Sequence, residues 1–376
     1  MARSNLSRRQ FITRTGLVVG GLSLAPSVLA ACGDSGGGGG DANAISLSNW
    51  TGYIGPKSVA IFERDTGIKV TYTEDINDNN EYFAKIQPNM QRGKSIGRDG
   101  FVFTDWMANR IINEVEWAQP LVAAKVPNRA NIRPALASPS WDPGRRFSLP
   151  WVTGMTGIAY NVAQTKGDIR TIEDFLNVSG TTTVLSEMRD TIGLLMLADG
   201  KDIEAPTYAD AQPAFDQLER AVRSGAIAGF NGNEYVNDLA TGNLAAAFAW
   251  SGDVAQITRD NPDVRFVIPE SRGIIWSDNF IVPSTSERAG LASAWIDYWY
   301  DPVNAARLTD FIQYVSPVEG VEAELVKMGG DAARLVDDPL VNPTPASLEQ
   351  LLPFGPLSGA EEQRFDERFA KIQGAG

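Results

Sequence analysis

Aromatic and acidic side chains recur together in this sequence, at the carboxyl ends of short apolar runs. Trp50 and Tyr53 follow the run Ile45 to Ser48, and Thr104, Asp105 and Trp106 follow Phe101-Val102-Phe103. Glu187 and Asp190 follow Thr183-Val184-Leu185, and Trp250 and Asp253 follow Ala247-Phe248-Ala249. Trp276 and Asp278 lie within the run from Gly273 to Val282. Lysine and arginine are mostly missing from these ends; Arg189, between two acids, is the exception. Such a set suits a flexible organic cation. Carboxylates replace the water shell of an ammonium, at about 1.5–3 kcal/mol per charge-assisted hydrogen bond. An aromatic face adds about 0.5–2 kcal/mol, and rings cover methylene spacers at roughly 0.8 kcal/mol per CH₂.

Each element also has a plainer reading. Glu187 and Asp190 fall in the first turn of an expected helix with Ser186 as N-cap, where the helix dipole alone favours acids. Asp253 stands in a similar position after Ser251, and a solvent-facing side chain would account for Asp105. Isolated tryptophans such as Trp50, Trp106 and Trp250 are more often core residues than ligand walls. Asp278 is different: it sits in an apolar strand, two residues from Trp276 and so on the same face. A carboxylate buried there is costly unless a cation or donors meet it. Trp295 and Trp299, at helical spacing, read as packing residues.

Composition narrows the chemistry. The 376 residues contain no histidine and one cysteine. Histidine-based triads are therefore impossible, and zinc would have little but carboxylates to bind. A two-carboxylate hydrolase stays formally open; no metal or cofactor is expected. The formal charge of −13 disfavours nucleic acid and anionic lipid and steers cations inward.

The elements that position these residues alternate. A strand Ile45 to Ser48 precedes a helix Lys57 to Thr66, a strand Ile68 to Tyr72, a helix Glu81 to Gln87 ending or kinking at Pro88, and a strand Gly100 to Phe103. A second set begins at Thr182 and includes helices Glu187 to Ala198 and Asp210 to Ser224 and a strand Ala245 to Ala249. This order predicts α/β units with a largely parallel sheet. Two units of similar size predict two lobes, with strands crossing between them near Pro150 to Asn161 and Arg265 to Val282. In open α/β sheets ligands bind beyond the carboxyl ends of strands.

The N-terminus predicts export. Ser7-Arg8-Arg9-Gln10-Phe11-Ile12 is a twin-arginine pattern, and Gly16 to Ala31 carries no charge. Leu29-Ala30-Ala31-Cys32 looks like a lipobox, with lipid on Cys32. Loss of this leader, with its four arginines and no acid, takes the formal charge from −13 to −17. Residues 32–44, with five consecutive glycines, read as a flexible tether.

Together these stretches resemble the spermidine/putrescine-binding receptors of bacterial ABC importers. The resemblance runs through Asn49-Trp50-Thr51-Gly52-Tyr53, Thr66-Gly67-Ile68-Lys69-Val70, Ser148-Leu149-Pro150-Trp151, Trp250-Ser251-Gly252-Asp253 and Gly273-Ile274-Ile275-Trp276-Ser277-Asp278. It implies a two-lobe periplasmic-binding-protein-like fold of type II, with the ligand cleft between lobes. The corresponding boundaries are 45–153 plus 279–321 for one lobe and 154–278 plus 322–376 for the other. By the same resemblance Trp50, Tyr53, Trp106 and Trp250 would be aromatic walls and Thr104 would bond an amine. Glu187 and Asp190 would hold one terminal ammonium, Trp276 and Asp278 the middle of the chain, and Tyr314 would close one end. Asp253 matches the putrescine-preferring branch, whereas a spermidine-contacting glutamine has no clear counterpart near Phe354 to Gly359. The implied partners are a polyamine, an ABC permease with its ATPase, and the membrane through Cys32. The expected protein is a monomeric binding protein, outside the cytoplasmic membrane, and not an enzyme. Its rivals are a receptor or sensor for another organic amine, a carboxylate-based hydrolase and a purely structural lipoprotein.

Overall fold

A computed structural model describes residues 42–374. The twin-arginine leader, Cys32 and most of the tether lie outside the described residues. Strands β1 (Ala44–Trp50) and β2 (Lys69–Ile76) form a parallel pair. A single bridge from Leu47 to Gly100 brings β3 (Phe101–Thr104) beside them. The remaining strands are β4 (Ala118–Gln119), β5 (Ser148–Asn161), β6 (Thr182–Leu185), β7 (Gly229–Asn231), β8 (Ala246–Trp250), β9 (Val264–Val267), β10 (Gly273–Pro283) and β11 (Leu351–Leu352). With β3 they form one sheet of nine strands whose main path is β11-β10-β5-β8-β6-β7.

Two long strands organise this sheet. All 14 residues of β5 are buried. Its residues 148–156 pair with residues 274–281 of β10, whose second half also holds β3 and β4. Its second half pairs with β8 and β9, while the first half of β10 reaches β11. One α/β unit therefore gathers at each end of the β5–β10 pair, and the strands pass between them where the sequence places the crossings.

The sheet is mixed, not largely parallel. β10 runs antiparallel to β3, β4 and β5, and β5 runs antiparallel to β8 and β9. Parallel pairing is kept by β1 with β2, by β6 with β7 and β8, and by β10 with β11. A strand that leaves one unit for the other enters against the local strand direction, which a crossover rule for consecutive strand-helix-strand units does not anticipate.

Helix ends follow local chemistry. Helix Ser58–Thr66 stops at Gly67 in the left-handed conformation, φ 73°, where the Gly67 N–H bonds the Glu63 carbonyl. Helix Asn79–Met90 starts on Asp78, whose carboxylate accepts the Glu81 N–H, and it continues through Pro88. Pro88 removes one backbone bond in the last turn, and buried Ile86 and Met90 hold that turn against the core. Helix Tyr208–Ser224 begins two residues before the expected start because Thr207 caps it. Trp295 and Trp299 are buried and pack with Trp151, whose ring stacks on Trp295 at 6.0 Å. Among the described residues no helix is long and apolar enough to cross a membrane.

Candidate functional site

The carboxyl ends of β1, β3, β6 and β8 converge on the middle of β10 and form a cleft. Its walls bring together Trp50, Tyr53, Thr104, Trp106, Glu187, Asp190, Trp250, Trp276 and Asp278. Asp253 and Tyr314 sit behind this wall. The Asp253 carboxylate is fully buried and accepts the Tyr235 hydroxyl at 2.8 Å. The Tyr314 ring packs on Tyr53 at 5.3 Å and Trp276 at 5.9 Å.

Asp278 is the most constrained acid. Its Oδ2 accepts the Tyr53 hydroxyl and its Oδ1 the Thr104 hydroxyl, both at 2.7 Å. Burial pushes its pKa up to about 7; the two hydroxyl bonds pull it down, and the charges of Asp105 and Asp190 push it further up. Asp190 faces it from the opposite unit, held by Thr156 Oγ1 at 2.7 Å and Trp250 Nε1 at 3.0 Å. Thr156 in turn accepts the Trp276 indole N–H at 2.9 Å, so one threonine ties ring to acid. Burial raises Asp190 to about 6, with the Trp250 and Thr156 bonds opposing.

Glu187 is the N-cap residue of helix Met188–Ala198, one position later than the expected cap at Ser186. Instead of capping, the Ser186 hydroxyl donates to Asp78 at 3.4 Å. Glu187 Oε1 accepts both the backbone and the side-chain amide of Asn79, at 2.7 and 2.9 Å. Burial drives the Glu187 pKa well above the carboxylate range, and the Asp78 charge adds to the rise. Each of these acids is thus costly to ionise where it stands.

The rings form a box. Trp250 meets Trp50 edge-on at 6.2 Å and Trp276 edge-on at 6.3 Å. Gly154 lies opposite Trp276 on β5, and a Cβ there would come within 2.4 Å of the indole carbons. Gly154→Ala is therefore expected to cost about 1–3 kcal/mol through overpacking. A lower denaturation midpoint with shifted tryptophan emission would show it; an unchanged midpoint would mean the ring moves freely.

Some neighbours escaped the sequence reading. Asp105 does not face solvent: its carboxylate accepts the Ser277 N–H and the Asn279 amide, each at 2.9 Å. Burial raises its pKa, with Arg145, Asn279 and Ser277 opposing. The Arg189 guanidinium lies 3.4 Å from the Trp106 ring centroid and pairs with Glu362 at 3.2 Å, so part of Trp106 already carries a protein cation. Phe354 and Pro353 complete the wall where the sequence offered no glutamine. The signal for Asn279 was present, a polar residue beside Asp278 in an apolar strand. The contacts of Asn79 with Glu187 and of Arg189 with Trp106 require the two units to be brought together, and that of Phe354 with Arg189 joins segments far apart in the chain.

Comparison with known proteins gives the family. The family model for bacterial extracellular solute-binding proteins matches residues 57–338. The chain belongs to this family. Among its relatives, the putrescine-binding periplasmic protein PotF of Escherichia coli is 28% identical over 325 residues, covering 80% of this chain and 83% of PotF. The putrescine-binding periplasmic protein SpuD of Pseudomonas aeruginosa is 26% identical, covering 89% of this chain and 92% of SpuD. A solved structure described as a putative spermidine/putrescine ABC transporter from Listeria monocytogenes superposes with a TM-score of 0.79 at 24% identity. It covers 89% of this chain and 100% of that one, and shows that this solute-binding protein has the two-lobe fold.

Proposed function

We propose that this solute-binding protein takes a polyamine, putrescine or spermidine, into the interlobe cleft and delivers it to the permease of an ABC importer. The carrying observation is Asp278: a buried carboxylate inside an aromatic box, both oxygens met by hydroxyls, with Asp190 and Glu187 across the cleft. Hydroxyl donors orient such a group without neutralising it, and a cationic ligand would complete its partners. Tyr53, Trp50, Trp250 and Trp276 supply faces and edges for methylenes and ammonium groups. The names of PotF and SpuD point to the same ligand class. The division into lobes 45–153 plus 279–321 and 154–278 plus 322–376 fits closure around the β5–β10 crossing. Lipid on Cys32 and a glycine tether would keep a monomeric receptor beside its permease outside the cytoplasmic membrane.

Tryptophan emission tests this reading directly, because Trp50, Trp106, Trp250 and Trp276 line the cleft. Titration of residues 45–376 with putrescine and with spermidine is expected to give saturable changes, and neutral sugars none. Silence toward both amines would sink the proposal.

A further inference from the structure

The sheet is irregular where it presents its key acid. Across β10 and β5, Asp278 faces Val152 but Asn279 faces Pro150, which leaves Trp151 as an extra residue on β5. This is a β-bulge, and Pro150, without an N–H, suits a break in the ladder. Bulges re-aim side chains, and they hold their aim only if something fixes the backbone around them.

Asn279 provides that fixation. It is fully buried, and its amide is used at both ends. Its Oδ1 accepts from Arg145 Nη1 at 2.8 Å, and its Nδ2 donates to Asp105 Oδ1 and to the Ser277 carbonyl, each at 2.9 Å. The other oxygen of Asp105 accepts the Ser277 N–H. Arg145 is buried and fixed in turn: Nε donates to the Leu136 carbonyl at 2.7 Å and Nη1 to Ser148 Oγ at 3.2 Å. The residues before and after Asp278 are thus both tied to Asp105, while Asp278 itself points to Tyr53 and Thr104.

We propose that Asn279 is the positioning residue of the cleft: its amide couples the buried cation Arg145 to Asp105 and locks the backbone on both sides of Asp278, so that the Asp278 carboxylate meets the ligand. This inference rests on the polyamine reading. It also has an electrostatic side. The titratable groups facing Asp278 are Tyr53 from the turn after β1, Asp105 from the helix Asp105–Asn109, and Asp190 from the helix Met188–Ala198. The Arg145–Asn279 link favours an ionised Asp105, and an ionised Asp105 opposes ionisation of Asp278.

The experiment is putrescine affinity from about pH 5 to about pH 8, a window in which Asp278 titrates and the diamine stays doubly charged. Wild type, Asn279→Ala and Arg145→Lys are compared, each checked for folding by thermal melting. Wild-type affinity should rise with pH and level off above the Asp278 midpoint. Asn279→Ala should lower the plateau by about tenfold and move the midpoint to lower pH, because Asp105 loses a bond that favours its ionised form and so repels Asp278 less. Arg145→Lys keeps the charge but loses the fork, and should move both in the same direction by less. A lowered plateau with an unmoved midpoint would reduce Asn279 to packing and overturn the inference. If the alanine variant does not fold, the lysine variant decides by the same criterion. Wild type that binds neither putrescine nor spermidine would remove the polyamine reading, and this inference with it; wild type that binds while the variants match it would remove only the inference.

Discussion

Asp278→Asn is expected to weaken putrescine binding by about 10- to 150-fold, the equivalent of roughly 1.5–3 kcal/mol for one charge-assisted hydrogen bond. The change is nearly isosteric, so packing in β10 is kept while two things are lost. The ammonium loses its charged acceptor. One of the two hydroxyls, Tyr53 or Thr104, now meets an amide NH₂ where it had a carboxylate oxygen. Asp253→Asn should do less, because Asp253 lies behind the wall and bonds Tyr235. Calorimetric titration of the three proteins gives the comparison. Wild-type affinity in the Asp278 variant would remove this carboxylate from the site.

Stability of the ligand-free protein is expected to increase as pH falls from about 8 to about 5. The folded-state pKa values of Asp278 and Asp190, about 7 and about 6, lie above the ordinary value of 3.8. A group raised in this way stabilises the fold fully below its unfolded pKa, and that contribution is lost as pH rises through the folded value. Asp278 alone contributes on the order of 4 kcal/mol at most, from about three units of displacement. Glu187 and Asp105 are shifted in the same direction. Carboxylates such as Glu63 and Asp174, whose values are lowered, oppose this only at more acidic pH. A bound diamine flattens this slope, because its ammonium groups keep the folded-state acids ionised, as they already are in the unfolded chain over this range. Melting temperatures with and without putrescine across this range should therefore diverge as pH rises. Near pH 7 binding should also release about half a proton from Asp278, visible as a dependence of the binding heat on the buffer's ionisation enthalpy. Parallel melting curves and a buffer-independent heat would contradict the assignment.

The sequence made the strand ends legible because alternating apolar runs and the residues after them are local features. Trp50, Thr104, Asp190 and Trp250 could be grouped without any knowledge of pairing. Asp278 could be singled out because a charge in an apolar strand has few inexpensive explanations. Strand direction was not legible, since it depends on which distant segments β5 and β10 join. Nor was the depth of each side chain: Asp253 and Asp190 both follow apolar strands, yet one reaches the cleft and the other turns to Tyr235. Arg189 over Trp106 lay further out of reach, because its contact depends on how the two units meet.

The buried crossing strand has a consequence for how this receptor comes apart. β5 is hydrogen-bonded to β10 along its first half and to β8 and β9 along its second. Neither lobe can lose its sheet without stripping partners from a strand the other lobe also needs. The two lobes are therefore expected to melt as one cooperative unit, with the backbone amides of β5 exchanging with solvent only on global unfolding. Opening and closing must use bending and twisting that leave this ladder intact, so the movement that admits the ligand is separate from the loss of the fold.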